Sequence, residues 1–522
     1  MSDQHNAGCV GYRNHPNVRT PNLDALAADG VDFLSAFSNN PICAPSRICF
    51  MTGQYVHTHG FVGNWNRDWP DPNPDSMGSV FRMHGYQTAL IGKSHMVRRW
   101  DADGFEYVQY TDLCDADPRD PLGHHYFSYL HERGLADLYE EGTPKPGQQT
   151  TMDGSAPAKL PYEHSIEAFT GERTLDFLQG RDPDRPFFIH MSFQRPHAPI
   201  APAREHFDMY NPEEMVLPES AYDYFENRFH GKPRFMVERL KDGCGYPLAD
   251  PDPGRLKRCL ASYYALITAI DSEIGRVLDA LKTSGEYENT VIVYTADHGD
   301  FAGEHGLFHK NFGIYDSIHR IPFLIKPPAT LREPTAGTTV PGIVESVDLY
   351  PTLCDLCGVP MPAGREGMSL VPLLRHGCGG VEQGDTVQSS AESIARIPAE
   401  GKPEAFCEWD WAMGRISAVR TRDFRLVFYG ALDEGELYDH RTDPDETKNL
   451  WHDPGYRDIR LDLVERLLQF TLAYRTLSNA STDREKHQSE RYTAGEQLQK
   501  HRKYWSDLDQ AYTQVREWPP EP

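Results

Sequence analysis

Short apolar runs alternate with helix-period segments along most of this chain, and that alternation restricts its fold more than any other feature. Residues 88–91, 187–192 and 291–295 are β-rich apolar runs, and 323–325 is another, just after Pro322. Runs this short and continuous read as strands buried on both faces, as in a parallel sheet covered on both sides. Between them, 166–178 and 261–281 carry helical patterns, and Thr20-Pro21 opens a further helix that Gly30 closes. Strands and helices in this order imply a doubly wound α/β layer structure.

The 522 residues amount to about three or four domains of ordinary size, although a large α/β unit can hold about 250 residues as one. Long stretches at 101–163 and 202–258, rich in Pro, Gly, Asp and aromatics, interrupt the alternation. Loops of that length usually carry function. Composition shifts near residue 376: 377–402 is rich in Gly and Ser, and strand patterns at 418–420 and 424–428 with a helix at 456–472 then suggest a small α+β unit. The expected division is therefore 1–376, 377–477 and a polar extension, 478–522. The net charge of −25 argues against a nucleic-acid partner, which calls for a basic surface, yet leaves room for a cationic pocket and an anionic ligand. No run approaches 18 apolar residues, so no membrane-spanning helix is expected. Ten cysteines spread over the whole length are too dilute for a disulfide scaffold. With no signal-peptide layout at the start, the default compartment is the cytoplasm.

The richest segment is PICAPSRICFMTGQYVHTHG, residues 41–60. Pro45 suits the first turn of a helix, which puts Cys43 at the helix N-terminus, where free N–H groups and the dipole favour an anion. Arg47, one turn on, points back to the same place. Asp297-His298 follow the run 291–295, at the carboxyl end of a strand, where α/β sheets place their sites. An isolated Asp-His pair there would otherwise be a turn with a helix cap. Other features read as ordinary: Cys354 and Cys357 as core packing, His124-His125 as solvated loop residues, and Trp65, Trp69 and Trp100 as packing aromatics.

The string Cys43-Ala-Pro-Ser-Arg47 resembles the signature of the sulfatase family within the alkaline-phosphatase superfamily. The resemblance runs through Thr20-Pro21-Asn22-Leu23-Asp24, Gly92-Lys93-Ser94-His95, Pro196-His197, Asp297-His298-Gly299, Glu436-Leu437-Tyr438-Asp439 and Asp443-Pro444. It implies an alkaline-phosphatase-like sandwich: a large, mostly parallel central sheet between helices, with a smaller C-terminal α+β subdomain. It also implies hydrolysis of a sulfate monoester by a formylglycine made from Cys43. A formylglycine-generating or anaerobic sulfatase-maturing enzyme would make it. The implied metal ligands are Asp3, Gln4, Cys43, Asp297 and His298; oxygens with one imidazole suit Ca²⁺, Mg²⁺ or Mn²⁺, and the family favours Ca²⁺. By the same resemblance, Arg47 belongs to the catalytic group, Lys93 binds the sulfate, His95 accepts a proton from the formylglycine hydrate, His197 protonates the leaving alcohol and Lys310 clamps the transferred group. Asn64 is a weaker substrate-pocket candidate that reads equally well as a turn residue.

Two positions depart from the commonest pattern. Gln4 and His298 stand where many arylsulfatases carry Asp and Asn, as in choline-sulfatase-like and phosphonate monoester hydrolase-like members. The rival activity is therefore hydrolysis of phosphonate monoesters or phosphodiesters; a binder of sulfated ligands that never matures its cysteine is a third reading. Lys93 with His95 favours the sulfatase, because the phosphonate hydrolases lack that pair. The expected partners are a small-molecule or glycan sulfate ester and, through the charged tail, a second copy of the chain. Only Met1 and Ser2 precede Asp3, too few for a strand ahead of a ligand, whereas related sulfatases begin with an apolar strand there. The expectation is a natural start further upstream, and with it a periplasmic or secreted location becomes open.

Overall fold

The computed structural model describes residues 1–64, 73–96, 104–112, 124–139, 156–227, 229–233, 236, 252–310, 313–332, 335–376, 394–411, 414–430 and 434–473. Among these residues eight strands build the central layer: β1 Ser2–Asp3, β2 Val31–Phe37, β3 Gln87–Gly92, β4 Tyr107–Tyr110, β5 Phe187–Pro196, β6 Ile292–Thr295, β7 Phe323–Lys326 and β8 Thr338–Glu345. They pair in the orders β1-β5-β3-β4 and β6-β7-β2-β8, and Ser2 bridges Ala296 to join the two halves.

All pairs in the first half are parallel. In the second half β7 runs antiparallel to both β6 and β2, while β2 and β8 are parallel. The run 323–325 is thus a strand of the expected kind in the unexpected direction, since a continuous apolar stretch reports burial and not sense. Its side chains alternate between the two faces of the sheet. Phe323 and Ile325 pack with Ile48, Met51, Val80 and Leu353 on one side, and Leu324 packs with Leu23, Leu26, Leu278 and Leu281 on the other. Each such buried side chain contributes about 2 kcal/mol of hydrophobic stabilisation before its entropy cost.

The helix Pro21–Asp29 begins where expected, but the Thr20 hydroxyl bonds Gly11 N and Asp24 instead of capping it. Its free Asn22 and Leu23 N–H groups donate to Asp271 of the helix Pro253–Thr283. That long helix starts earlier than the 261–281 pattern, because Asp252 caps it and Pro253 suits its first turn. The helix Ile166–Gly180 packs beside it. His124 is buried and caps the helix His125–Glu132, while the half-buried His125 accepts from Tyr110 N, so neither is a free loop residue as expected. Cys354 lies in the core. Trp65, Trp69 and Trp100 fall outside the described residues, as do 377–393 and 474–522. Among the described residues no helix is long and apolar enough to cross a membrane.

The C-terminal part is an antiparallel meander of β9 Glu404–Trp411, β10 Gly414–Thr421, β11 Phe424–Tyr429 and β12 Gly435–Asp439. The helix Arg457–Ala473 covers it through Leu463, Leu467 and Phe470, whose ring stacks on Phe406 at 3.8 Å. Its strand β9 touches the loop before Cys43: Asn39 and Asn40 donate to the carbonyls of Phe406 and Glu408. Behind the two-residue β1, between β5 and β6, lies a cavity of about 810 Å³ lined by Met1, Met51, Phe188, Met191 and Tyr294 among others.

Candidate active site

The carboxyl ends of β1, β3, β5 and β6 converge on the start of the helix Cys43–Thr52. Two glycines permit the approach. A Cβ on Gly92, whose φ is +109°, would lie 1.8 Å from Ser192 O, and one on Gly299 would lie 1.9 Å from Ser317 O. Either substitution would push apart the segments that carry Lys93 and His298.

Cys43 is the first residue of its helix and is buried. Its Sγ receives Lys310 Nζ at 2.8 Å and lies 3.2 Å from His298 Nε2 and 3.6 Å from Asp3 Oδ1. Burial pushes the Cys43 thiol up, but Lys310, Lys93 and His298 together outweigh it and hold the group well below an ordinary thiol. Asn64 accepts from Ala44 N at 3.0 Å, so it satisfies a free N–H at this helix start. Asn40 does the same for Ile42 N.

Asp297 is fully buried and accepts from Arg47 Nε at 2.8 Å and from the Gln4 and His298 N–H groups at 3.0 Å. Burial raises its carboxyl, yet His298 and Arg47 hold it well below the usual range. Arg47 also donates to Lys93 O and Ser192 Oγ, tying three strand ends together. Lys93 Nζ bonds Asp3 Oδ2, and Gln194 approaches the same oxygen at 3.4 Å. The cation in contact with Cys43 is therefore Lys310, while Lys93 acts on it through space. His95 leaves the end of β3 with a positive φ of 54°, a strained backbone of the kind that gathers at sites.

Ligand atoms of Asp3, Cys43, Asp297 and His298 all lie within 4.8 Å of one another. Donors on opposite sides of an ion with bonds of about 2.3–2.6 Å stand about that far apart, so the set fits one divalent cation. In the His298 ring, Nδ1 lies 2.9 Å from Gly299 O, which it bonds as donor, so Nε2, 3.2 Å from Cys43 Sγ and 2.9 Å from Lys310 Nζ, is the ring atom turned toward the cluster. Gln4 is buried beside them, and its Nε2 bonds Asp300 Oδ2 and His309 Nδ1.

Residues missing from the sequence reading are Gln194, Ser192 and Asp300. Asp300 stands two positions beyond His298 and accepts from Gln4 Nε2. Its only signal in the sequence is that place in the string Asp297-His298-Gly299-Asp300.

A buried cysteine at a helix start, set among cations and carboxylates at the carboxyl ends of a large sheet, is the arrangement expected of a hydrolase with an alkaline-phosphatase-like fold. The family model described as Sulfatase matches residues 1–359, and one described as N-sulphoglucosamine sulphohydrolase, C-terminal, matches 406–472. The chain belongs to the sulfatase family. It is 26% identical to an N-acetylglucosamine-6-O-sulfatase of Bacteroides thetaiotaomicron, over 91% of this chain and 86% of that one. It is 29% identical to an arylsulfatase of Clostridium perfringens, over 90% and 92%. Among solved structures, a phosphonate monoester hydrolase of Agrobacterium radiobacter superposes with a TM-score of 0.72 at 25% identity, covering 91% of this chain and 95% of that one.

Proposed function

We propose that this sulfatase hydrolyses sulfate monoesters of sugars with a formylglycine made from Cys43 and one divalent cation. The observation that carries this reading is Cys43 Sγ at 2.8 Å from Lys310 and 3.2 Å from His298, within one cluster of metal-ligating groups. Sugar as the alcohol part rests on the name of the Bacteroides relative and on the C-terminal family match.

Asp3, Gln4, Asp297, His298 and the residue-43 oxygen would hold the cation, with Ca²⁺ favoured and Mg²⁺ or Mn²⁺ as alternatives. When bound, it supplies neutralisation of charge on the oxygens of the transferring group. Formylglycine, as its hydrate, supplies one hydroxyl to attack sulfur and a second whose loss of a proton expels sulfate. Lys310 lies against residue 43 and binds a sulfate oxygen there. His197 Nδ1 donates to Ala198 O at 2.7 Å. The other ring nitrogen is then the one that hands a proton to the leaving alcohol. His95 takes the hydrate proton, and Lys93 holds Asp3 while adding positive potential. Enclosure strengthens each of these charges, because little water competes with them.

Two measurements test the reading. Peptide mass spectrometry of active protein should find an aldehyde at Cys43; full activity from the unmodified thiol would remove the mechanism. A hydrolysis screen over sugar, choline and aryl sulfates and a phosphonate monoester should favour a sulfate. The second reading, a phosphonate monoester hydrolase, draws on Gln4 and His298 and on the Agrobacterium structure. It replaces the first if the phosphonate outruns every sulfate tried.

A further inference from the structure

Besides His95, three residues around this site have left-handed backbones that side chains other than glycine rarely adopt: Gln4 at φ 64°, Ala302 at 43° and His309 at 67°. All three are bonded to one carboxylate. Asp300 Oδ1 accepts from Ala302 N at 2.7 Å and His309 N at 3.0 Å, and its Oδ2 accepts from Gln4 Nε2 at 2.6 Å. Asp300 is fully buried and its own carbonyl accepts from Asn6 Nδ2. Gln4 follows Asp3 directly and His309 precedes Lys310, so the carboxylate grips the residue next to a ligand and the residue next to the cation on Cys43.

The chemistry of the Gln4 contact is directional. An amide has a donating end and an accepting end of nearly the same shape, and only the second can bind a cation. An ionised carboxylate only accepts, so it selects the NH₂ end of Gln4; the nearby His309 Nδ1, 3.1 Å from Gln4 Nε2, takes the second N–H. The oxygen is then the end left over.

We propose that Asp300 is a positioning residue that fixes the orientation of the Gln4 amide, so that its oxygen rather than its NH₂ group is offered to the divalent cation. The inference rests on the metal reading above and adds to it a residue outside the ligand set. An asparagine at this position can still accept from Ala302 and His309 with its oxygen. Its NH₂ group would then face Gln4, the Gln4 amide would turn over, and an N–H would point at the cation.

The test is titration calorimetry of metal-stripped protein with Ca²⁺ and with Mn²⁺. Asp300→Asn should weaken binding by at least about tenfold, the range seen when groups that orient ligands are removed. Adding Gln4→Glu to Asp300→Asn should restore affinity to within about threefold of wild type. A carboxylate has no wrong end, and one introduced at position 4 accepts from the asparagine while offering its other oxygen. A purely structural role for Asp300 predicts no such rescue. Should Asp300→Asn alone fail to fold, the double variant is read directly, and tenfold weaker binding there overturns the inference. So does wild-type affinity in Asp300→Asn, or a double variant that binds no tighter than that single one. A wild-type protein that binds neither ion removes the metal reading and this inference with it.

Discussion

Among the described residues, two clusters, one buried and one partly buried, bring carboxylates and a histidine within ligand distance of one another. One is Asp3, Cys43, Asp297 and His298; the other is Asp316, His440 and Glu446. In the second, Arg420 and Arg425 both reach Asp316, Arg425 and His440 reach Glu446 Oε1, and Glu446 Oε2 accepts from Asp316 N. Two arginines answer two carboxylates, burial keeps His440 below its usual value, and every carboxylate oxygen is already engaged. In the first, three cations, Arg47, Lys93 and Lys310, face the two carboxylates Asp3 and Asp297, and the surplus positive charge falls on Cys43. Ligand-type residues at ligand distance do not by themselves make a site. A closed charge balance makes a lock, here between the C-terminal meander and the segment that follows Lys310, while a cationic surplus at Cys43 is what the proposed nucleophile needs to seat an anion.

Four variants probe that contrast, the largest effect first. Cys43→Ala should reduce turnover by at least about 10⁴-fold, as loss of a nucleophile does, with a Tm close to wild type. Comparable turnover without residue 43 would end the view of this cluster as the site.

His197→Ala should lower kcat by about 10²–10⁴-fold for alkyl or sugar sulfates. The loss should shrink for a nitrophenyl sulfate, whose leaving group needs no proton. Equal losses on both would assign His197 to binding.

Glu446→Gln should act on stability and spare the chemistry. Removing one partner from a buried charge cluster costs about 3–5 kcal/mol, while kcat/KM measured well below Tm should stay within about twofold of wild type. Burial raises the Glu446 carboxyl, but Arg425 and His440 hold it well below the usual range. A depressed carboxyl stabilises fully above its unfolded value of about 4.3 and less as pH falls through the folded value. Urea midpoints taken from pH 7 down to pH 3 should therefore drop less steeply in Glu446→Gln than in wild type. A parallel drop would mean that Glu446 carries none of the acid sensitivity.

Lys93→Ala should give the smallest effect, a fall of about tenfold in kcat/KM for sulfate esters, because Lys93 touches Asp3 and reaches Cys43 only through space. A loss as large as that from His197→Ala would place Lys93 on the substrate.

Much of this was legible in the chain, because local chemistry wrote it there. The apolar runs at 88–91, 187–192 and 291–295 became β3, β5 and β6, since burial on both faces demands continuous apolar sequence. Cys43 at a helix start followed from Pro45. Other features depended on partners far away in sequence. The antiparallel sense of β7 is a matter of how the loop carrying Lys310 returns to the sheet, which no pattern within four residues records. Asp300 looks like one more polar residue after a strand until folding sets it against Gln4, 296 positions away. The lock draws Asp316 from one part of the chain and Arg425 and Glu446 from another. By itself the sequence determined the residue types, the strand and helix periods and the motif around Cys43, all set by neighbours a few residues apart. Only the tertiary structure decided which charges balance and which are left in surplus, because Coulomb interactions and hydrogen bonds act across space between groups that the chain keeps apart.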